Sequence, residues 1–369
     1  MNEQEILALF ENILASQIFY SLISIMQTGF WKKLKKPILA LAPMSNVTDA
    51  AFRRMINKYG KPDVMWTEFV SCDGLASKGR DKLLIDLMFT KAEHPIVAQI
   101  FGSKPENFYK TALLLQELGF DGIDINMGCP DRNVEKQGAG SALMKNPKLA
   151  QEIIRETIRG AGKLPVSVKT RIGYSKNTLS EWLPALLETE LAAITIHART
   201  RKEMSLAPAN WDTIAEAVRI RDKYKSKTLI LGNGDIKDLV DAKEKIKASG
   251  ADGVMVGRGI FGNPWFFAGC HSPKKGNPDN CNRLDSRSGG NDSCVVMTPS
   301  VAEKLRVMVE HTYMFEKILG AHKNFDIMKK HYKAYANGFD GAKELRVKLM
   351  EGAKTAADVE RIVDDFLSK

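Results

Sequence analysis

A cysteine just beyond a predicted strand is the residue of this sequence best suited to chemistry. Residues 121–144 begin with the apolar pattern of a buried parallel strand, which stops at Gly128 and places Cys129 on the following loop. Asn126 lies just upstream, and parallel strands carry reactive groups at their carboxyl ends. A lone cysteine is more often a small buried thiol, so this position alone leaves a catalytic and a structural role open.

The ends of the other predicted strands also carry polar or glycine-rich sequence. In chain order the residues at the strand ends are Pro43 and Met44, Glu68, Gln99, Asn126 and Cys129, Lys169 and Arg171, His197 and Arg199, Asn233, Gly234 and Asp235, and Gly257, Arg258 and Gly259. The last two loops are rich in glycine and include an arginine. This pattern is typical of the phosphate site that barrels build after strands seven and eight.

Two further strand-end residues have the chemistry to bind a flat, electron-rich ring at its edge. Lys169 lies in Val-Lys-Thr-Arg and His197 in Ile-His-Ala-Arg. Each alone would favour a structural role, a strand-end ion pair for the lysine and a buried, hydrogen-bonded ring for the histidine. Because both should point into one mouth, the pattern favours a cofactor site.

The elements that would position these residues alternate regularly between strand and helix. Apolar, β-branched runs occur at residues 38–44, 64–70, 95–101, 122–129, 166–172, 193–200, 229–236 and 253–260. Between most of them lie stretches of helical periodicity, although 71–80 reads as a long loop before a short helix. Strand–helix alternation predicts right-handed parallel units, and eight units predict a (β/α)₈ TIM barrel over residues 37–267.

The sequence after the barrel is helical throughout. Helical periodicity covers 301–319, 323–337, 342–351 and 356–367, which predicts a small all-helical bundle domain over residues 299–369. Residues 323–348 hold seven Lys or Arg against three Asp or Glu, with Tyr332, Tyr335 and Phe339 between them. Basic residues interleaved with aromatic rings are typical of an RNA surface.

Two segments fall outside this alternation. Residues 1–36 contain an apolar stripe at helical spacing that polar residues interrupt, which predicts an amphipathic extension; peripheral membrane contact is the alternative, and membrane insertion is not expected. Residues 268–298 are poor in aliphatic side chains and predict a flexible polar insertion. A zinc site of Cys270, His271, Cys281 and Cys294 would lack the usual paired spacing, so no metal is expected.

Composition bounds the class of protein. The chain has 369 residues, 44% of them hydrophobic and 27% charged, and a net charge of +10. These values are ordinary for a globular enzyme and argue against a polytopic membrane protein. The positive charge indicates an anionic partner such as nucleic acid, although a merely basic surface would give the same total. Five irregularly spaced cysteines predict a reducing cytoplasm, and we favour a monomer.

The motifs together resemble the tRNA-dihydrouridine synthase family. The resemblance covers roughly residues 37–264 in order, and Lys329-Lys330-His331 through Arg346 resembles the helical RNA-binding domain of that family. The motifs are Ala42-Pro43-Met44-Ser45-Asn46-Val47-Thr48-Asp49, Asp124-Ile125-Asn126-Met127-Gly128-Cys129-Pro130, His197-Ala198-Arg199-Thr200-Arg201, Gly232-Asn233-Gly234-Asp235 and Gly257-Arg258-Gly259.

This resemblance implies an enzyme that reduces the C5–C6 double bond of particular uridines in tRNA, with FMN as cofactor and NADPH as reductant. The residues expected to hold FMN are Pro43, Met44, Gln99, Lys169, His197, Asn233, Gly234, Asp235, Gly257 and Arg258. Those expected to contact the substrate are Asn126, Arg171 and Arg199 near the base and Lys329, Lys330, Lys333 and Arg346 on the tRNA phosphates. Cys129 would be the acid.

The residue chemistry agrees with that assignment. Reduction of the alkene needs a hydride at C6, from flavin N5, and a proton at C5. A thiol such as Cys129, with an ordinary pKa of about 8.5, is mostly protonated at neutral pH and can supply that proton. Lys169 would place positive charge near the flavin N1–O2 edge. The alternatives are an FMN barrel reductase of a free pyrimidine, of the dihydroorotate-dehydrogenase type, and a tRNA-binding protein with an inactive barrel.

Overall fold

Eight parallel strands form a barrel in the computed structural model, which describes residues 28–268 and 299–369. The strands are β1 Ile38–Leu41, β2 Met65–Ser71, β3 Ile96–Phe101, β4 Gly122–Met127, β5 Val166–Arg171, β6 Ala193–His197, β7 Leu229–Asn233 and β8 Gly253–Val256. They pair in the order β1-β8-β7-β6-β5-β4-β3-β2. The amide of Leu41 donates to the Val64 carbonyl at 3.0 Å and closes the barrel between β1 and β2. The predicted TIM-barrel fold is therefore confirmed.

Helices follow most strands and cover the outside of the barrel. They are α1 Ala50–Tyr59, α2 Cys72–Leu75, α3 Arg80–Leu83, α4 Pro105–Glu117, α5 Arg132–Lys136, α6 Pro147–Ala161, α7 Leu179–Leu187, α8 Asp212–Lys223 and α9 Leu239–Ser249. The prediction of a loop over 71–80 is wrong for its first residues, because the helix α2 begins directly after β2. There the Ser71 hydroxyl accepts from the Gly74 amide and caps the helix.

Six strands end one to four residues earlier than predicted, namely β1, β4, β5, β6, β7 and β8. The sequence pattern misled because the apolar character continues past the last strand residue. Met44, Cys129, Arg199 and Asp235 consequently lie on loops at the carboxyl end of the barrel, and Arg258 begins a 3₁₀ helix, Arg258–Ile260, at the same end. A loop can present backbone amides and side chains together, which a strand within a sheet cannot.

The opposite end of the barrel is closed by aromatic residues. Trp31, in the 3₁₀ helix Gly29–Lys33, is only 4% exposed and lies 6.0 Å, between ring centroids, from Trp66 of β2. Trp31 stacks on Phe30 at 4.8 Å on its other side. Residues 28–36 thus plug the amino-terminal end of the barrel, while the apolar stripe predicted for the extension lies in residues 1–27, outside the described residues.

A helical domain follows, with its own core. It consists of the 3₁₀ helix Phe325–Met328 and the helices α10 Val301–Leu319, α11 Lys329–Tyr335, α12 Ala342–Gly352 and α13 Ala356–Leu367. The bounds of α10 and α13 match the prediction, and capping boxes at Ser300/Glu303 and Thr355/Asp358 begin them. The single helix predicted over 323–337 is wrong, since a 3₁₀ turn precedes α11. The predicted insertion lies mostly outside the described residues.

The aromatic residues predicted for an RNA surface lie elsewhere. Tyr332 and Tyr335 are fully buried in the core of the helical domain, and Phe339 is partly buried against that core. The expectation that Tyr332 and Tyr335 belong to an RNA surface is therefore wrong. Their spacing reflects the apolar face of α11, which sequence alone does not distinguish from an exposed aromatic stripe.

The helical domain packs directly on the barrel. Ala51 and Met55 of α1 belong to the same buried cluster as Leu305 and Met308 of α10. Lys323, just after α10, donates to Glu68 Oε2 at 2.6 Å and pairs with Asp86 at 2.7 Å. Glu68 also accepts a hydrogen bond from the Asn46 amide, close to the mouth of the barrel. No helix of the described ranges is long and apolar enough to cross a membrane.

Candidate active site

Two adjoining clefts open at the carboxyl end of the barrel. The larger has a volume of about 640 Å³ and is lined by loops after β1, β6, β7 and β8. The smaller has a volume of about 180 Å³ and includes Cys129. Pro43, Lys169 and His197 line both clefts, so the two volumes share a wall. A group bound in the larger cleft would therefore lie beside one bound in the smaller.

The structure brings the predicted cofactor residues together. Of the ten, nine line the larger cleft: Pro43, Met44, Lys169, His197, Asn233, Gly234, Asp235, Gly257 and Arg258. Gln99 lines the smaller cleft instead. Among the predicted base contacts, Asn126 and Arg171 line the smaller cleft with Cys129, whereas Arg199 lines the larger one.

One end of the larger cleft is suited to an anion. The Arg258 side chain is 59% exposed and donates to Asp235 Oδ1 at 3.1 Å. Asp235 also pairs with the buried Arg199, which holds the pKa of this carboxyl below its usual range. Gly234 has a φ of 126°, and a Cβ there would meet Ala209 Cβ at 2.8 Å, so glycine is required. Arg258 and these glycine loops could hold a phosphate.

The other end of this cleft presents an edge of hydrogen-bonding groups. Lys169 Nζ donates to Asn233 Oδ1 at 3.1 Å, and Asn233 Nδ2 donates to the Met255 carbonyl at 2.7 Å. Burial, assisted by the nearby Arg171, lowers the pKa of Lys169 to about 8, so the ammonium form predominates at neutral pH. Among the described residues, this cation has only an amide oxygen as its hydrogen-bond partner. It therefore fits a ring carrying electron-rich oxygen or nitrogen.

His197 is neutral in this setting. Burial, followed by the positive charges of Lys169 and the neighbouring arginines, lowers the pKa of His197 well below its usual value. Its Nε2 lies 3.1 Å from an Nη1 of Arg199, and arginine can only donate. Nε2 is therefore the acceptor, and the proton resides on Nδ1, which can serve as a donor.

Asn126 anchors the loop that carries Cys129. Its side-chain oxygen accepts from the amides of Gly128 and Cys129, at 3.1 and 2.9 Å. The Ser141 amide donates to the Cys129 carbonyl at 3.0 Å and ties the far side of the loop. Burial raises the pKa of the half-buried Cys129 thiol. At neutral pH Cys129 is consequently a thiol, able to give a proton.

The two buried arginines organise loops. Arg171 donates from Nε to the Gly128 carbonyl at 2.8 Å and from Nη1 to Thr200 and Met204 carbonyls at 3.0 and 2.9 Å. It therefore joins the Cys129 loop to the loop after β6. Arg199 donates to the Ala207 carbonyl and pairs with Asp235. The predicted role of these arginines on the substrate stays a prediction, since their contacts in the structure are internal.

Two residues had no role predicted from the sequence: Phe69, which lines the site, and Asp124, which lies beneath it. Phe69 lines the smaller cleft near Cys129, although it reads as an apolar core position of β2. Asp124, fully buried on β4, hydrogen-bonds to Gln99 below the clefts. A signal was available for Asp124, because an acidic residue within an apolar strand is rare without a partner or a function. No such signal marks Phe69.

The four basic residues predicted to contact tRNA differ in how free they are. Lys330 and Lys333 are both exposed and lie on the short helix α11. Lys329 pairs with Asp326 at 2.7 Å. Arg346 is half-buried and donates to the Ala336 carbonyl at 2.8 Å. A substitution at Arg346 would therefore also disturb the helical domain itself.

Known proteins are similar to this chain over nearly its whole length. The profile of the family described as "Dihydrouridine synthase (Dus)" matches residues 40–369. The chain is 38% identical to "Probable tRNA-dihydrouridine synthase 2" of Bacillus subtilis (strain 168), over 93% of this chain and 98% of that protein. It is 38% identical to "Probable tRNA-dihydrouridine synthase" of Staphylococcus aureus (strain Mu50), over 92% and 96%. The protein of that name from Staphylococcus epidermidis is 37% identical over 92% and 97%.

Proposed function

This chain belongs to the dihydrouridine synthase family, and from that premise we propose how it reduces uridines of tRNA to dihydrouridine. FMN would be held in the larger cleft and NADPH would recharge it, and the uracil base would enter the smaller cleft beside Cys129. The observation that carries this proposal is the wall that the two clefts share at Lys169 and His197. It would set a reducible base next to a flavin ring.

The residues of the larger cleft would hold FMN at both ends. Arg258 and the glycine-rich loops would bind the phosphate, and Lys169 would stabilise negative charge at the N1–O2 edge of the ring. His197 would donate from Nδ1, because Nε2 already faces Arg199. FMN, when bound, supplies a hydride for C6 of the uracil.

The residues of the smaller cleft would complete the reduction. Cys129 donates its Sγ proton to C5, so that hydride and proton together saturate the C5–C6 bond and leave a thiolate that solvent reprotonates. The volume of about 180 Å³ suits one pyrimidine. The base must leave its stack to enter, and the loops of tRNA make that extrusion inexpensive. We place the activity in the cytoplasm, with the chain acting as a monomer.

The direct test is to map dihydrouridine in tRNA from cells that lack this protein. Loss of dihydrouridine at particular positions, restored by the purified protein with FMN and NADPH, is the expected result. Unchanged dihydrouridine in those cells, together with reduction of free orotate by the purified protein, would favour the alternative of a free-pyrimidine reductase.

FMN affinity should depend on pH through Lys169. Because the pKa of Lys169 is about 8 before FMN binds, raising the pH beyond that value removes the charge that the ring requires. The dissociation constant should rise about ten-fold between about pH 7 and pH 9, as proton linkage requires; the FMN phosphate, with a second pKa of about 6, stays mostly doubly ionised over this range. Fluorescence quenching of FMN at each pH measures this. Lys169→Met should bind more weakly at pH 7 and show no such rise, and a flat profile in the wild type would contradict the role of Lys169.

The accessible lysines of α11 should contribute to tRNA affinity. Replacing Lys330 and Lys333 by alanine removes up to two phosphate contacts, so affinity should fall and the slope of log K against log salt should flatten by about one to two units. Filter binding at several salt concentrations measures both. The matched control is Lys223→Ala with Lys227→Ala, which removes two exposed lysines at the amino-terminal end of the barrel. Equal losses in the two double variants would show that only total charge matters.

A further inference from the structure

A buried carboxylate lies beneath the two clefts and lines neither of them. Asp124 is in the middle of β4, fully buried, and is level with Gln99 of β3 and Ser167 of β5 in the strand register. Asn126, one layer nearer the mouth, is level with Lys169. Side chains two apart on a strand share a face, so Asp124 and Asn126 both point into the barrel.

A continuous chain of hydrogen bonds joins Asp124 to the Cys129 loop. Ser167 Oγ donates to Asp124 Oδ1 at 2.6 Å, and Gln99 Nε2 donates to Asp124 Oδ2 at 2.6 Å. Asn126 Nδ2 donates to Gln99 Oε1 at 3.0 Å. Asn126 Oδ1 in turn accepts from the Cys129 amide at 2.9 Å. The loop that bears the thiol is therefore linked to the buried carboxylate through two side-chain amides.

The donors and acceptors of this chain can run in only one direction. An ionised carboxylate only accepts, so Gln99 must turn its NH₂ towards Asp124 and its oxygen towards Asn126. Asn126 must then present its NH₂ to Gln99 and its oxygen to the loop. Backbone N–H groups only donate, so the other end requires the same order. A reversed Asn126 would place its NH₂ against two N–H donors.

We propose that Asp124 is a positioning residue that fixes the orientation of the Gln99 and Asn126 amides and thereby sets the Cys129 loop. Its importance for catalysis rests on the proposed function, in which Cys129 is the acid. A buried carboxylate is costly to the fold, and burial raises the pKa of Asp124 to about 6. An asparagine would cost less, but it could offer Gln99 either its NH₂ or its oxygen, so the loop amides alone would then set the order of the chain. The carboxylate is thus the group that holds this order from the inner end of the chain.

The test measures how fast iodoacetamide alkylates Cys129 in the purified full-length protein, with mass spectrometry to identify the Cys129 peptide. Asp124→Asn should increase the rate on the order of ten-fold, about what the loss of one or two hydrogen bonds from the loop corresponds to. All samples are compared at the same flavin content. Because alkylation needs no tRNA, this readout is independent of whether the enzyme forms dihydrouridine.

A compensating pair of substitutions tests whether the Cys129 loop depends on the order of donors and acceptors in this chain or only on the packing around residue 124. When Asp124→Asn is combined with Gln99→Glu, the carboxylate moves from β4 to β3 and the total charge stays the same. The carboxylate on β3 then accepts from the new amide on β4 and from Asn126, so the order at Asn126 is restored. The double variant should be alkylated more slowly than Asp124→Asn alone.

The control is Asp252→Asn, which removes another buried carboxylate at the opposite end of the barrel. Because Asp252 has no place in the chain of hydrogen bonds that leads to the loop, this substitution should leave the alkylation of Cys129 unchanged.

Each outcome decides the proposal. An unchanged rate in Asp124→Asn, an equal increase in Asp252→Asn, or a double variant that stays fast would overturn it. If Asp124→Asn does not fold, the double variant decides alone: recovery of a folded protein supports the proposal, and a double variant that also fails to fold overturns it. In the holoenzyme, Asp124→Asn should lower the single-turnover rate with tRNA and leave the tRNA dissociation constant unchanged.

Discussion

Replacing Cys129 by alanine should lower the rate of dihydrouridine formation by a factor on the order of 10² to 10⁴, the usual range for loss of a general acid. The substitution removes the only thiol that the described residues contribute to the smaller cleft, and Cys129 does not line the larger one. NADPH should therefore still bleach the flavin at the wild-type rate. Single-turnover oxidation of pre-reduced enzyme by unmodified tRNA isolates the affected step.

Two further variants define this result. Cys129→Ser gives a direct comparison, since a hydroxyl of similar size is a far weaker acid and should retain only a little activity. Cys72→Ala is the matched control, because Cys72 is also a free cysteine but is fully buried after β2. It should lower thermal stability and leave the single-turnover rate alone. A wild-type rate in Cys129→Ala would mean that Cys129 is structural and that the proton comes from another group.

Replacing Arg258 by alanine should weaken FMN binding about ten- to hundred-fold. A hydrogen bond to a charged group contributes about 1.5–3 kcal/mol, and the exposure of Arg258 places the effect towards the lower part of that range. The loss is increased because Asp235, which Arg258 now partly neutralises, would face the phosphate with one fewer cation. Arg258→Lys should recover part of the affinity, as a point charge without the planar fork.

Flavin occupancy after gel filtration and the dissociation constant by fluorescence together measure this effect. Arg219→Ala is the control, because Arg219 is an exposed arginine on α8 and does not line either cleft. Wild-type occupancy in Arg258→Ala would show that the phosphate lies elsewhere.

The sequence was sufficient for the barrel and for the grouping of most site residues. Parallel strands bring their carboxyl ends together, so residues as distant as Met44 and Arg258 could be placed at one mouth from strand periodicity alone. The glycine loops after β7 and β8 indicated the anion end of the larger cleft in the same way. The helices α10 and α13 were predicted to the residue from helical periodicity, and in the structure capping boxes begin both of them.

The sequence did not reveal whether particular side chains face the core, a cleft or the solvent. Tyr332 and Tyr335 lie among basic residues and were predicted to belong to an RNA surface, yet they are part of the core of the helical domain. Phe69 reads as core and lines the smaller cleft. The chain from Asp124 to the Cys129 loop joins neighbouring strands, so it depends on their register, which one strand pattern does not reveal.

The carboxylate of Glu68 links the helical domain to the loop after β1. It accepts from Lys323 of the helical domain and from the amide of Asn46, two residues beyond Met44. A ligand of the helical domain that displaces Lys323 would thereby alter the free energy of cofactor binding. Reciprocity then requires that the cofactor alter the affinity for that ligand by the same factor. Flavin-free and flavin-loaded protein would in that case differ in their affinity for RNA.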